Sequence, residues 1–312
     1  MPGDTRQPVM PDPSFKPAHP DLLILTSPDW VDYELIDCGS GQKLERYGPY
    51  RLIRPEPEAV WQPALLESEW KKAHARFVPS PEENGGHWDY HNKLPERWKM
   101  GYKQLRFFVQ TTASRHVGMF PEQASQWDWI DEQVRQARRP LKILNLFGYT
   151  GLASLAAAQS GAQVTHLDAS RKVITWAREN QALSKLDDRP IRWIIEDALK
   201  FVQREGRRSS LYDGIILDPP KFGRGPKGEV WEFYKLLPTL LQACRQILSP
   251  DPQFILLTAY AVKASALTLY YALDEMMAGF QGLATAGEVA LSEKSAGRLV
   301  SMAIFSRWQA AR

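Results

Sequence analysis

The sequence predicts an α/β protein: a doubly wound, mostly parallel sheet whose last strand runs antiparallel, preceded by a small, mostly-β N-terminal domain. Three observations carry this reading. From about Arg139 onward, short apolar runs alternate with helical segments, the pattern of a parallel sheet with crossover helices. The last two apolar runs, near Leu283–Leu291 and Arg298–Phe305, have no helix between them, so they pair as a hairpin and one opposes the rest. Before Val109 the apolar runs are short and broken by Gly and Pro.

The elements follow in order. Val31 to Ile36 alternates apolar and polar residues, Gly39-Ser40-Gly41 turns the chain, and Lys43–Tyr47, Tyr50–Ile53 and Leu105–Gln110 read as further strands. Trp30, Trp61, Trp70, Trp88 and Trp98 are expected mostly in the core of this half. In the second half, strands are predicted at Leu141–Leu146, Gln163–Leu167, Ile191–Ile195, Gly214–Leu217 and Phe254–Thr258. The intervening helices are Leu152–Ser160, Arg171–Leu183, Ala198–Glu205, Val230–Leu248 and Ala264–Ala278. The domain expectation is a disordered Pro-rich lead over 1–20, a β domain over 21–110 and the sheet domain over 111–312. No internal repeat interrupts this order.

Composition narrows the function classes. Apolar residues make up 44% of 312, enough for a large core, yet no run of eighteen apolar residues offers a membrane helix. The start lacks the apolar centre of a secretory signal. The two cysteines, Cys38 and Cys244, lie far apart without metal or redox spacing, so two free thiols in a reducing cytoplasm and no metal are expected. A net charge of +3 is too small to argue for nucleic acid by itself.

In an open α/β sheet, ligands bind beyond the carboxyl ends of the strands. Four loops there stand out. After the first strand comes Asn145-Leu146-Phe147-Gly148-Tyr149-Thr150-Gly151, whose glycines permit a tight turn close to a ligand, or simply a turn; it lacks the G-x-G-x-x-G spacing of dinucleotide sites. After the second comes Asp168-Ala169-Ser170, about twenty residues on, where an acid accepts from ribose hydroxyls or caps a helix. After the third, Asp197 accepts an adenine amino group or caps a helix. After the fourth comes Asp218-Pro219-Pro220-Lys221-Phe222, where two prolines stiffen a loop with outward carbonyls beside an aromatic ring.

These motifs resemble those of class I S-adenosylmethionine (AdoMet)-dependent methyltransferases, over about Val109 to Phe305. More narrowly, they resemble the bacterial branch that includes large-subunit rRNA methyltransferases making 5-methylcytosine or 7-methylguanine. The resemblance implies a seven-stranded Rossmann-like sheet, AdoMet as cofactor and an EC 2.1.1 activity. It implies that the Asn145–Gly151 loop, with Asn145, Phe147, Gly148, Tyr149, Thr150 and Gly151, cradles the methionine end. It assigns Asp168 with Ala169 to the ribose, Asp197 to the adenine and Asp218 to both cofactor and acceptor, with Pro219, Pro220, Lys221 and Phe222 facing the acceptor. The family's loop before the sheet has the form Gly-Phe-Phe-x-x-(acid or amide)-Arg. Gly118-Met119-Phe120-Pro121-Glu122-Gln123 stands there without the Arg, and Phe120 and Gln123 are carried over.

One departure directs the chemistry. Members that methylate cytosine C5 need a cysteine nucleophile after the fifth strand or in the Pro-Pro loop. Leu257-Thr258-Ala259-Tyr260 and Asp218–Lys221 hold none, so transfer to nitrogen, with oxygen as the second choice, fits better than a covalent C5 route. Asp218 and the Pro219 carbonyl are expected to orient the acceptor, Phe222 to stack on it, and Gly223–Gly228 to form a mobile basic lid or a solvated loop. His87 to Phe108 interleaves Trp88, Tyr90, Trp98, Tyr102, Phe107 and Phe108 with His91, Lys93, Arg97, Lys99, Lys103 and Arg106. That pattern suits RNA, probed by stacking and phosphate pairing, or a core with a solvated face. The expected partner is therefore RNA, specifically rRNA. The alternatives are a small-molecule or protein methyltransferase, a nucleotide-dependent oxidoreductase, or a non-catalytic RNA-binding protein on a relic fold.

Overall fold

A computed structural model describes residues 19–27, 30–80 and 85–311. The lead expected over 1–20 lies almost wholly outside these residues. The first strand, β1 (Leu22–Thr26), is followed by β2 (Tyr33–Gly39), β3 (Gln42–Tyr47) and β4 (Tyr50–Pro55), a meander with Gly41 and Gly48 at positive φ in its turns. A one-turn helix α1 (Glu67–Trp70) leads to β5 (Ala75–Pro79) and β6 (Gly86–Tyr90); β2-β3-β4-β5-β6 form one five-stranded sheet. The hairpin β7 (Trp98–Tyr102) and β8 (Leu105–Val109) pairs only with itself. A single 3-10 turn, Pro121–Gln123, opens helix α2 (Ala124–Gln136).

The second half alternates as its apolar rhythm requires. It runs β9 (Lys142–Leu146), α3 (Leu152–Gln159), β10 (Gln163–Asp168), α4 (Arg171–Leu183), β11 (Ile191–Ile195), α5 (Ala198–Arg207) and β12 (Gly214–Leu217). A short hairpin, β13 (Phe222–Arg224) and β14 (Val230–Glu232), precedes α6 (Phe233–Arg245). Then come β15 (Phe254–Ala259), α7 (Ala266–Met277), β16 (Gly282–Ser292) and β17 (Leu299–Ala310). The main sheet has the order β1-β16-β17-β15-β12-β9-β10-β11. Only β17 runs antiparallel to its neighbours, so the class expected from sequence stands.

Strands β5, β6 and β7 and helix α2 are not among the elements that the sequence pattern marks, and two further features depart from expectation. The main sheet has eight strands rather than seven, because β1 leaves the N-terminal half and pairs in parallel with β16. Gly287 makes room for it: a Cβ there would sit 1.8 Å from the Leu23 carbonyl. The long helix expected from Val230 begins instead at Phe233, because Val230–Glu232 pair with Phe222–Arg224. Its apolar residues merge with the helical run behind it, so periodicity alone hides the break.

The central strands are apolar on both faces, as a sheet covered by helices demands: β12 and β15 are buried at every position. Phe254, Phe201 and Phe233 lie fully buried between sheet and helices. Trp30, Trp70, Trp88 and Trp98 are buried, as expected, and Trp61 is partly so. In the N-terminal sheet the core is not purely apolar. Glu45 accepts two hydrogen bonds of 2.7 Å from Arg54 and one each from Tyr33 and Tyr47, at 2.9 and 3.0 Å. Lys43 pairs with Glu56 at 2.9 Å. Every charge there has a partner, which a buried ion pair requires. Cys38 and Cys244 are free thiols, both buried. Among the described residues, no helix is long and apolar enough to cross a membrane and no metal-ligating cluster occurs.

Candidate active site at the strand tips

The tips of β9, β12 and β15 surround a cleft of about 510 Å3, its open mouth included. Phe120, Gln123, Asn145, Phe147, Gly148, Tyr149, Thr150 and Asp218 line it, together with Met119, Trp127, Ile130, Ile216, Leu256 and Thr258. Eight of the sequence-derived residues thus converge on one place. Gly151, Asp168, Ala169, Asp197 and Pro219 to Phe222 do not line this cleft.

The Asn145–Gly151 loop is held in an unusual conformation. Phe147 and Tyr149 have φ of 58° and 50°, and Gly151 has φ of 91°. Two non-glycine residues in the left-handed region within three positions cost about 1–3 kcal/mol each, and such strain concentrates at ligand sites. What over-determines it is a set of ties. Gly148 N–H donates to the Leu167 carbonyl at 3.0 Å, and Tyr149 N–H to Asp168 Oδ2 at 3.1 Å. The Thr150 hydroxyl donates to the Gly118 carbonyl at 2.7 Å, and Asn180 Nδ2 to the Thr150 carbonyl at 3.0 Å. Gly148 also rests on a buried ring: a Cβ there would lie 2.3 Å from His166 Cε1. His166 Nδ1 bonds the Ser154 hydroxyl at 2.8 Å, which in turn accepts from Asn145 Nδ2 at 2.9 Å. Burial pushes the imidazole down to about 3, so it is neutral and serves as packing. Asn145 therefore shapes the loop from beneath.

The two outer acids accept from backbone N–H groups. Asp168 accepts from Tyr149 N–H and, at 2.9 Å, from Ser170 N–H, while burial raises its carboxyl. Ser170 caps α4. Asp197 caps α5, accepting from Lys200 N–H at 2.9 Å. A carboxylate has about four lone-pair sites, so each of these keeps capacity for a ligand hydroxyl or amine. An apolar slot, a strained loop in front of α3 and carboxylates at successive strand tips suit a nucleoside attached to a short charged chain. The residues present therefore fit AdoMet.

The Pro-Pro corner divides its tasks. Trp231 Nε1 donates to the Pro220 carbonyl at 2.6 Å and its ring packs on Phe147 at 5.0 Å, tying the corner to the glycine loop. Among the described residues no group donates to the Pro219 carbonyl. Lys221 and Phe222 are exposed, the ring at 64%, with the Lys221 ammonium 5.5 Å from its centroid. Burial pushes the Asp218 carboxyl up to about 8, and the nearby charge of Glu122 adds to this. Phe120 packs between Tyr149 and Tyr260, with centroids 5.5 and 5.1 Å away. Gln123 Nε2 donates to the Tyr260 hydroxyl at 2.9 Å. Trp127, Thr258, Tyr260, Glu122 and His166 were not singled out as site residues from sequence. His166, Thr258 and Tyr260 fall at or beside the tip of a predicted strand, whereas Glu122 and Trp127 belong to a turn and helix that the sequence pattern does not mark.

Two expectations change here. The Gly223–Gly228 segment is the end of the β13–β14 hairpin rather than a free loop; Gly225 N–H donates to the Glu229 carbonyl, and Glu229 pairs with Lys200 at 2.7 Å. The His87–Phe108 aromatics are mainly core: Trp88, Trp98, Tyr102 and Phe107 are buried, Arg97 stacks on Phe108 at 3.7 Å and Lys103 pairs with Asp128 at 2.6 Å. Of this set Tyr90 is the exposed large ring, so no stacking platform exists there.

Comparison with known proteins agrees with this geometry. A family model described as S-adenosylmethionine-dependent methyltransferase matches residues 81–258. A crystal structure of a SAM-dependent methyltransferase from Agrobacterium tumefaciens is 48% identical, with a TM-score of 0.89 over 93% of this chain and 94% of that one. Ribosomal RNA large subunit methyltransferase K/L of Shewanella sp. (strain ANA-3) is 34% identical over 39% of this chain, and that of Hahella chejuensis 33% over 46%. The matched segments span only 18% and 19% of those two longer proteins. The chain belongs to the S-adenosylmethionine-dependent methyltransferase family, and S-adenosylmethionine is its cofactor.

Proposed function

We propose that this protein transfers a methyl group from AdoMet to a nitrogen of an RNA base, with rRNA as the substrate class. The observation that carries the methyl-transfer site is Asp218, a half-buried carboxyl facing the same cleft as the strained glycine loop. AdoMet supplies a methyl group already activated by its positive sulfur. The protein's work is then positioning and exclusion of water, which is worth several orders of magnitude in rate. The Asn145–Gly151 loop, with Phe120 and Gln123 opposite, holds the methionine part; Asp168 with Ala169 takes the ribose and Asp197 the adenine amine. Below about pH 8 Asp218 is largely protonated and both donates and accepts, so it orients a base edge together with the free Pro219 carbonyl. Phe222 offers an exposed ring for stacking, and Pro220, fixed by Trp231, sets the loop's shape.

The case for RNA rests on the relatives named above and on exposed cations in the chain segments that flank the cleft-lining residues. Arg115, Lys221, Arg224, Lys227 and Lys263 are exposed and, among the described residues, join no ion pair. Cations so placed meet a phosphate backbone while the base enters the cleft. An enzyme of this kind works in the cytoplasm. The domain assignment that accompanies this is a β-rich substrate module over 21–110 ahead of the catalytic domain over 111–312, with β1 as an exchange between them. The test is transfer of labelled methyl from AdoMet into total RNA by the purified protein, followed by nuclease and protease digestion. Label released by nuclease and recovered in one methylated nucleoside is expected. Label that survives nuclease and yields to protease assigns a protein substrate instead.

A further inference from the structure

We propose that Trp231 is a positioning residue that couples the cofactor loop to the acceptor corner. Filling the cleft with AdoMet fixes the Asn145–Gly151 loop and, through Trp231, the Asp218–Phe222 corner and the β13–β14 hairpin it leads into, an arrangement that rests on reading that corner as the acceptor's place.

Trp231 lies on β14 and is 4% exposed. Its indole touches both sides. Nε1 donates to the Pro220 carbonyl at 2.6 Å, and the ring packs on Phe147 with centroids 5.0 Å apart. Phe147 lines the cleft and holds φ at 58°. The corner has few other holds. Pro219 and Pro220 carry no N–H with which to pair. Phe233 N–H donates to the Lys221 carbonyl at 3.0 Å, and Phe222 and Arg224 pair with Glu232 and Val230 on either side of Trp231. Gly223, opposite Trp231, keeps this fold tight: a Cβ there would sit 3.3 Å from Pro220 Cγ. A residue that only filled space would need no donor, since phenylalanine packs on Phe147 as well. The indole N–H instead reaches a carbonyl of the corner that faces the acceptor.

The far end of the hairpin is tied to a second cofactor element. Glu229 accepts from Lys227 N–H at 2.9 Å and from Lys200 Nζ at 2.7 Å. Lys200 stands in the first turn of α5, and its own N–H donates to Asp197 at 2.9 Å. The hairpin thus spans from the glycine loop, at the methionine end, to the helix start assigned to the adenine. Positive φ costs a residue such as Phe147 about 1–3 kcal/mol, so contacts from a ligand in the cleft favour the conformation that seats its ring on Trp231. Once the ring is seated, the Pro220 carbonyl and the strand pairing beside it are held as well. An acceptor that arrives after the cofactor then meets Phe222 already placed and loses less conformational entropy. By linkage, the acceptor strengthens cofactor binding by the same factor.

The test follows backbone hydrogen–deuterium exchange in the full chain, with and without saturating S-adenosylhomocysteine. In the parent, segments 146–151 and 221–233 should both exchange more slowly with the ligand bound, the second by at least roughly fivefold. Trp231→Phe keeps a ring for Phe147 and removes the donor. Its 146–151 segment should still respond to the ligand, while the response of 221–233 should be lost. Transfer of labelled methyl into total RNA at saturating AdoMet should then fall about tenfold. A hairpin that exchanges alike with and without ligand in the parent overturns the proposal, and so does a hairpin response that survives in Trp231→Phe. Loss of the response in both segments makes Trp231 a structural support only and overturns it too. A response lost from the hairpin alone, with transfer at the parent rate, leaves the coupling in place and sinks the underlying reading of the corner instead.

Discussion

The molecule buries two sets of carboxyl groups in opposite ways. In the N-terminal sheet, burial would raise Glu45, but Arg54 and Lys43 outweigh it and hold the carboxyl down at about 2. At the strand tips, Asp218 has no cation beside it, and burial with Glu122 pushes it up to about 8. Both carboxyls are largely shielded from water. They differ in whether the fold supplies a partner. A fully paired charge holds two strands in register and does nothing else; an unpaired one stores free energy that a ligand can release. Backbone strain falls on the same side: Phe147 and Tyr149 adopt positive φ beside Asp218.

The largest expected effect breaks the unpaired side. Asp218→Ala should lower methyl transfer by about 10²–10⁴-fold, the range for loss of an acid–base group, with AdoMet binding by calorimetry retained. Wild-type turnover in that variant removes Asp218 from the chemistry. The same residue sharpens the comparison through pH. Its folded pKa is raised, so its contribution to stability is full below the unfolded value of about 3.9 and is lost as pH rises through about 8. Asp218→Asn escapes that loss. Its thermal midpoint should exceed the parent's at pH 8 and match it near pH 4. Glu45 has the reverse sign: its depressed pKa gives stability above about 4.3 that is lost as pH falls through about 2.

The paired side breaks differently. Glu45→Gln leaves Arg54 buried without its counter-charge and is expected to cost about 3–5 kcal/mol by denaturant unfolding. Transfer per folded molecule should stay within a few-fold, since Glu45 touches no cleft residue. If stability holds and turnover collapses, the two regions are not separable. Next in size is the loop's support. Gly148→Ala places a Cβ against His166, and overpacking of this kind costs about 1–3 kcal/mol. AdoMet affinity should fall by one to two decades in calorimetry. Trimming the ring as well, with His166→Ala, should recover part of it; no recovery would mean that Gly148 is needed for a different reason.

What could be read from the sequence follows from range. The alternation from Lys142 to Ala259 is local, so most strands and helices are legible within a residue or two, as at Arg171–Leu183, while the ends of α6 and the β13–β14 hairpin are not. The glycine loop, Asp218 and the Pro-Pro corner are legible because glycine and proline mark backbone geometry directly. Long-range choices are not. Nothing in Leu22–Thr26 says that it pairs with Ala286–Ala290 rather than with its sequence neighbours. The burial of Glu122 is likewise set by the fold and not by its neighbours in sequence. The interleaved rings and cations of His87–Phe108 suit an RNA face equally well, and only the pairing of β7 with β8 turns Trp98, Tyr102 and Phe107 inward. The positive φ of Phe147 and Tyr149 is invisible because neither residue type favours it.

The smallest effect separates a cap from a ligand contact at one residue. Asp197 accepts from Lys200 N–H, and Asp197→Ala should lose about 1 kcal/mol of stability with the cap. Serine caps helices about as well as aspartate, so Asp197→Ser should return the thermal midpoint to within a degree or two of the parent. It does not restore a carboxylate for an adenine amine. AdoMet affinity should therefore fall several-fold in both variants while stability falls in only one. If affinity recovers with serine, Asp197 belongs with Glu45 among the groups that hold the fold together. The cofactor's base must then find its acceptor elsewhere along the strand tips.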